Sequence, residues 1–442
     1  MYRRTLIPAT LLLLTALATA QTASTTPVKK PATTAKAKTT AKPVVHHTTA
    51  TTHHAATVTH HTAAATTHTA ARPATHTAST THTAVVNGHR RTVVHHVYER
   101  FTASSFDQDV NELTAGDNTT GEDASVREAL LEALGNMNGT ALAIDPTSGR
   151  ILAMVNQKLA LSHGAEPCST IKLTVALAAL EEGLIKKDTP VNLGGSYHLN
   201  LTEALAHSNN LYFETLGRSL GFERVKHYAN EFGLGELAGY NIPGEQLGTY
   251  PDEELPASLG GVGRMCSFGE SVSVTPLQLG ALVSAIANGG TLYYLQHPQT
   301  PEDIATFKPR VKRTLDIAPI LPEIEDGMQA AVQYGTARSL RANFSQFPVL
   351  GKTGTCSNNG TRFGWFASYA NTPQGRIVTV FFLEGGRPTF GPKAAELTGE
   401  FYRALWDRNY FTGKPTDPAT ADPTAPASPL SPPLTLSGAG GF

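Results

Sequence analysis

The chain of 442 residues is poor in charge: Asp, Glu, Lys and Arg make up 16% of it, with a net charge of -1. That balance excludes the basic surface of a nucleic-acid binder and a polybasic membrane patch. Long apolar runs are missing too. The one candidate, Leu6 to Leu17, is too short for an ordinary spanning helix. It follows Arg3 and Arg4 and precedes Ala18-Thr19-Ala20, the pattern of a secretory signal peptide with an A-x-A cleavage site, so residues 1–20 are expected to be removed on export. Cysteine is scarce, and with three in the chain at least one thiol has no partner within it. Large apolar residues are nearly absent from residue 21 to about 98, where Thr, Ala, His, Lys and Pro dominate. Such a stretch cannot bury enough surface to offset chain entropy.

Residues 21–115 are therefore expected to form a disordered His/Thr/Ala-rich tether. Its histidines repeat, with His47, His54, His61 and His68 seven apart, and His82, His89 and His96 resuming the step. No leucine or isoleucine seam accompanies the heptad, which argues against a coiled coil. Two readings stand: a tandemly expanded flexible linker, or transition-metal capture through the pairs His46-His47, His53-His54 and His60-His61. Residues 413–442, rich in Pro, Ala, Ser and Thr, read as a second disordered segment. His163, His198, His207, His227 and His297 lie beyond the tether and show no ligand spacing.

Residues 116–412 carry the periodicities of a folded domain. In "SVREALLEAL", Ser125 and Glu128 have the spacing of a helix capping box. "TALAIDPTSGRILAMVN" reads as a hairpin turning at Asp145 to Gly149. "STIKLTVALAAL" is an apolar helix with Ser169 at its mouth, and in "TPLQLGALVSAIANGG" Thr275 caps, Pro276 enters and Gly289 ends a helix. "VLGKTGTCS", "RFGWFASYA" and "RIVTVFFLE" are strand-like, and "PKAAELTGEFYRALW" is a closing helix. Strands at both ends with helices between predict an α/β (α+β) fold. Its sheet would be mainly antiparallel, of about five strands drawn from both ends of the domain, and flanked by helices.

Lys172 lies three residues after Ser169, on the same helix face and within its reach. A buried lysine is rare without a partner, whereas a lone serine at a helix start is ordinarily a cap. Two further motifs follow in order: Ser208-Asn209-Asn210 and Lys352-Thr353-Gly354-Thr355. S-x-x-K, S-x-N and K-T-G each arise by chance, and Ser357-Asn358-Asn359 is a second S-x-N. It lies past the K-T-G strand instead of at a helix junction after the serine, so it is set aside. The order and placement of the trio carry the signal.

With those motifs, the chain from about 123 to 410 resembles the transpeptidase domain of penicillin-binding proteins. "AIDPTSGRILAMVN", "AHSNNLYFETLGRSLG", "SVSVTPLQLGALVSAIANGG", "QYGTARSL", "GKTGT" and "GWFASYA" fall in the family's order. The resemblance implies acyl transfer on the D-alanyl-D-alanine end of peptidoglycan stem peptides, as D,D-transpeptidase or D,D-carboxypeptidase, with β-lactams as covalent mimics. It implies a periplasmic or cell-envelope location, with membrane association left open. Other proteins of cell-wall synthesis are candidate partners, and no nucleic acid is. Two alternatives stay open. One is a class D-like β-lactamase or β-lactam sensor using a carbamylated Lys172, although that family usually has an apolar residue where Asn210 stands. The other is a non-catalytic wall-binding scaffold.

The chemistry assigns roles. Ser169 is a poor nucleophile until a base takes its proton, and Lys172 can be that base if desolvation and a second cation lower its pKa. Lys352 supplies the cation. Ser208 and Asn210 relay the proton and hold the substrate amide. Gly354 leaves room for substrate backbone, and Thr353 and Thr355 offer hydroxyls to its terminal carboxylate. The backbone N–H groups of Ser169 and Thr355 would receive the oxyanion. None of this needs a metal or cofactor. Phe268 is either core or pocket wall. Where the family usually has glycine, this chain has Cys168 before the serine and Ser271 in Gly269-Glu270-Ser271. In the family the segments bearing Cys168, Cys266 and Cys356 converge, so a bridge involving Cys356 and three small buried thiols are both open.

Overall fold

The structure, a computed structural model, describes residues 75–86, 89–107 and 110–412. Residues 1–20, read as a signal peptide, the paired histidines and residues 413–442 lie outside the described residues. Within the stretch read as a tether, Thr75–Val86 and His89–Arg100 pair as an antiparallel hairpin, with Val86 opposite His89. The sequence between them is Asn87-Gly88, the dipeptide favoured in two-residue hairpin loops.

Five strands build the central sheet: β1 (Gly139–Asp145), β2 (Arg150–Val155), β3 (Val349–Asn358), β4 (Thr361–Thr372) and β5 (Gly375–Gly385). Their order is β2-β1-β5-β4-β3, every neighbour antiparallel. The two ends of the domain thus meet at the β1–β5 pairing, as the sequence predicts. The β1–β2 turn is tied by Asp145, whose Oδ1 accepts from Thr147 N at 2.9 Å and whose Oδ2 accepts from Ser148 Oγ at 2.6 Å.

Sequential residues of β1 and β5 alternate between two cores, which is why these strands are mostly apolar in their middle instead of alternating with polar residues. Leu142, Ile144, Val378, Val380 and Phe382 face one core, and Ala141, Ala143, Phe381 and Leu383 face the other. The second core is closed by α1 (Ala124–Leu134) and by the last helix (Gly391–Asp407). The first holds the other helices that matter here: α2 (Lys172–Glu181), α3 (Leu201–Ala206), α4 (Asn210–Leu220), α5 (Gly261–Phe268), α6 (Pro276–Asn288) and α7 (Leu321–Gln333). The last helix is α8. In α2 every residue from Lys172 to Leu180 is buried, so its sequence is apolar on all sides except for that lysine and Thr174.

Local signals hold at α6 and shift at α1. Thr275 Oγ1 accepts from Gln278 N at 3.0 Å while Gln278 Oε1 accepts from Thr275 N at 3.0 Å, a full capping box, and Gly289 ends the helix at φ +95°. For α1 the cap is Asp123, not Ser125. Asp123 has the extended backbone a cap needs, and its Oδ1 accepts from Val126 N at 3.0 Å. Ser125 already lies in the first turn.

Trp365 on β4 is fully buried, opposite Phe382 in register, with ring centroids 3.9 Å apart in a stack. Truncating it leaves a cavity beneath the sheet's edge strand. Trp365→Ala is expected to cost about 3–5 kcal/mol, read as a fall in the urea midpoint with an unchanged slope. A midpoint unmoved by the substitution contradicts this packing.

Candidate active site

Ser169 sits in a 3₁₀ turn, Cys168–Ile171, that leads directly into α2 at Lys172. It caps nothing through its side chain, contrary to the ordinary reading of a serine there. The backbone reaches the turn through Cys168 at φ +51°, a left-handed conformation, and Thr170 Oγ1 donates to Pro167 O at 2.6 Å to close it. The 3₁₀ geometry brings residues three apart into line, so Lys172 Nζ stands 2.9 Å from Ser169 Oγ.

The S-x-N segment reaches the same point from the opposite side. Helix α3 ends at Ala206, Ser208 turns the chain at φ +54°, and Asn209 starts α4 by accepting from Tyr212 N at 2.9 Å. The reversal places three of the segment's oxygens on Lys172 Nζ: Ser208 O at 2.7 Å, Ser208 Oγ at 3.0 Å and Asn210 Oδ1 at 2.6 Å. Lys352, on the edge strand β3, donates to Ser208 Oγ at 2.8 Å and to Thr353 O at 2.9 Å. The five side chains Ser169, Lys172, Ser208, Asn210 and Lys352, distant in sequence, are one hydrogen-bonded cluster.

Its electrostatics follow from burial. Lys172 and Lys352 are both fully buried. Desolvation, and then the Lys352 charge, hold the Lys172 amine well below its ordinary value of 10.5, with Glu214 opposing weakly. Burial alone brings Lys352 down to about 7. Donor counting agrees with a neutral Lys172. Ser208 O and Asn210 Oδ1 can only accept, so they take the two N–H bonds of an uncharged amine, and its lone pair is left for a hydroxyl proton. Because Asn210 gives its oxygen to Lys172, its NH₂ is the group free to donate outward.

The side chains of the K-T-G-T strand have distinct partners. Thr353 is buried and donates to Thr336 Oγ1 at 2.7 Å. Thr355 Oγ1 accepts from Gly391 N at 2.8 Å and keeps its own proton to offer. Gly354 is required by packing on the serine turn: a Cβ there would come 2.8 Å from Pro167 O and 3.1 Å from a methyl of Thr170. The absent side chain makes room for the turn that carries Ser169. Trp365 Nε1 donates to Glu166 O at 3.0 Å, a second tie between sheet and turn.

A third tie is covalent. Cys168 and Cys356 form a disulfide with Cα atoms 5.5 Å apart, and Cys266 remains a buried free thiol. Closing a loop across a sequence separation of 188 corresponds to about 5 kcal/mol in the chain-entropy model. Cys168 and Ser271, the two positions where the resemblance expects glycine, have φ +51° and +69°. At the rim, the Arg264 guanidinium lies 4.0 Å from the Phe268 ring and pairs with Glu270 at 2.8 Å, so Phe268 is half-buried beneath a charge at the surface. Sequence reasoning missed Thr336, although it stands within the quoted "QYGTARSL", and Phe213, whose ring lies 5.5 Å from Lys172 Nζ one turn into α4.

The family model described as "Penicillin binding protein transpeptidase domain" matches residues 139–403. The chain is similar to stage V sporulation protein D of Bacillus subtilis, 31% identical over 316 residues, which are 60% of this chain and 48% of that protein. It is similar to peptidoglycan D,D-transpeptidase MrdA of Acinetobacter baumannii at 24% identity, over 68% of this chain and 56% of the relative. The chain spans about half the length of the curated relatives it matches. Among solved structures, the transpeptidase domain of Burkholderia pseudomallei penicillin-binding protein 3 superposes with a TM-score of 0.55 at 20% identity, covering 71% of this chain and 98% of that one. Pseudomonas aeruginosa penicillin-binding protein 2 gives 0.54 at 22%, covering 65% and 74%. At these identities the structural likeness speaks for the fold.

Proposed function

The chain belongs to the penicillin-binding protein transpeptidase family, and from that premise we propose that it is a serine acyltransferase of peptidoglycan, a D,D-transpeptidase or D,D-carboxypeptidase that also reacts covalently with β-lactams. The observation that carries the reading is the contact of Ser169 Oγ with the amine of Lys172, buried and held toward its neutral form. In the proposed reaction Ser169 Oγ attacks the carbonyl carbon of the penultimate D-alanine, and its proton passes to the Lys172 lone pair. The developing oxyanion is received by the N–H groups of Ser169 and Thr355.

The departing D-alanine amine needs a proton. Ser208 Oγ lies 3.0 Å from Lys172 Nζ and 2.8 Å from Lys352 Nζ, a placement that supports a relay from the protonated lysines. The Asn210 NH₂ and the Thr355 hydroxyl are the groups proposed to hold the peptide amide and its terminal carboxylate. An amine of a second stem peptide, or water, then attacks the acyl-serine. The substrate sets the location: this reading needs a protein of the cell envelope. Carbamylation of Lys172 finds no support, because Nζ already has four polar neighbours within 3.0 Å.

Two experiments test the reading. A fluorescent penicillin is expected to label the protein covalently, and Ser169→Ala to abolish the label while the circular dichroism spectrum stays that of the parent. Label retained on Ser169→Ala contradicts the assignment. The pH dependence has a definite sign. Acylation needs neutral Lys172, whose fraction grows as pH rises, so the rate climbs with pH and levels off below the ordinary lysine value of 10.5. Lys352→Ala removes the neighbouring cation, raises the Lys172 pKa and moves the limb to higher pH, whatever it does to the plateau. A limb that stays in place, or a wild-type rate still climbing at the ordinary lysine pKa, contradicts the role given to Lys172.

A further inference from the structure

The disulfide joins the residue before Ser169 to the residue after Thr355. Those two neighbours supply the backbone N–H groups assigned to the oxyanion, so each donor is one residue from a bridged cysteine. Cys168 is fully buried and holds φ +51°, a conformation that glycine adopts freely and that disfavours any residue with a side chain. A non-glycine residue in that region persists where its surroundings over-determine it, and such residues cluster at functional sites.

Two other ties hold the serine turn to the sheet, and both reach residues other than Cys168. Trp365 Nε1 grips Glu166 O, and Gly354 packs on Pro167 O. Rotation about the Cys168 backbone would swing Ser169 N–H and strain the bonds that Thr170 Oγ1 and N–H donate across it to Pro167 O, at 2.6 and 3.1 Å. The disulfide is the tie that sits on the rotating residue itself and ends beside Thr355.

We propose that the Cys168–Cys356 bridge is a positioning element for acylation, which holds Cys168 left-handed and so fixes the spacing between the Ser169 and Thr355 N–H groups. The inference rests on the reading of Ser169 as the nucleophile and goes beyond it by assigning the cysteines a part in the rate. Oxyanion donors act over a narrow range of distance, and a misplacement of about 1 Å costs on the order of 100-fold.

The test uses the full chain and stopped-flow kinetics with a penicillin, which separate reversible binding from the acylation step. Alkylation of the unfolded, unreduced wild type should first give one adduct, and three after reduction. Three before reduction means there is no bridge and overturns the proposal. Cys356→Ser removes the bridge and leaves a side chain at residue 168. It is expected to lower the acylation rate constant about 10–100-fold, with the reversible binding constant changed by less than about threefold. The double variant Cys168→Gly with Cys356→Ser also lacks the bridge, but its glycine takes the left-handed conformation without penalty, so its acylation rate is expected to recover above that of Cys356→Ser. A bridge that merely stabilised the fold would give no such recovery.

An acylation rate in Cys356→Ser equal to the wild type overturns the proposal, and so does equal loss in the single and double variants. Should Cys356→Ser fail to fold, wild-type protein reduced with tris(2-carboxyethyl)phosphine while folded replaces it, with the same losses expected and an unchanged rate contradicting them. Wild-type protein that takes no penicillin at all overturns the Ser169 reading itself, a result distinct from each of these.

Discussion

Lys172 Nζ lies 2.9 Å from Ser169 Oγ, and the pair has chemical use only while the amine is uncharged. Water would charge it, so the surroundings must keep water away without leaving the nitrogen's bonds unmet. Helix α2, buried from Lys172 to Leu180, supplies the first condition. Ser208 and Asn210 supply the second, through two oxygens that accept and never donate. Lys352, when protonated, adds a like charge where an ordinary interior would place a carboxylate, and its own burial lowers its pKa to about 7. Each of these features would destabilise a protein that had no use for it, and together they favour the uncharged form of Lys172.

The fold is what brings such unfavourable groups together. The sheet joins strands from both ends of the domain at β1 and β5, which leaves the K-T-G-T strand β3 as an edge beside the serine turn. The turn is met there by Gly354 and a disulfide on β3 and by Trp365 on the adjacent β4. Left-handed residues do the aiming: Cys168 ahead of the nucleophile and Ser208 ahead of Asn210, both at φ values that a side chain disfavours. Rigid secondary structure carries the strain, and short turns spend it on direction.

Much of this was legible in the sequence, and for identifiable reasons. The i+3 spacing of Ser169 and Lys172, the hairpin turn at Asp145, the cap at Thr275 and the three late strands are local signals that the structure retains. What was not legible depended on contacts across the fold. Asp123 displaced Ser125 as the α1 cap because its backbone is extended, and its carboxylate both caps Val126 N and accepts from Tyr410 OH at 2.9 Å. The purpose of Gly354 could not be read without Pro167 beside it. The three cysteines gave no pairing by themselves: Cys266 is packed against Gly217 between α4 and α5, while β3 carries Cys356 to the serine turn.

The central claim is that Lys172 is an amine and not an ammonium when the serine reacts. Its titration can be followed directly by NMR of protein labelled with ¹³C at the lysine ε-carbon, with Lys172→Arg identifying the resonance. The account predicts a midpoint well below the ordinary lysine value of 10.5, moving upward when Lys352 is replaced by alanine. A Lys172 resonance that titrates at the ordinary value, unmoved by the loss of Lys352, would contradict it.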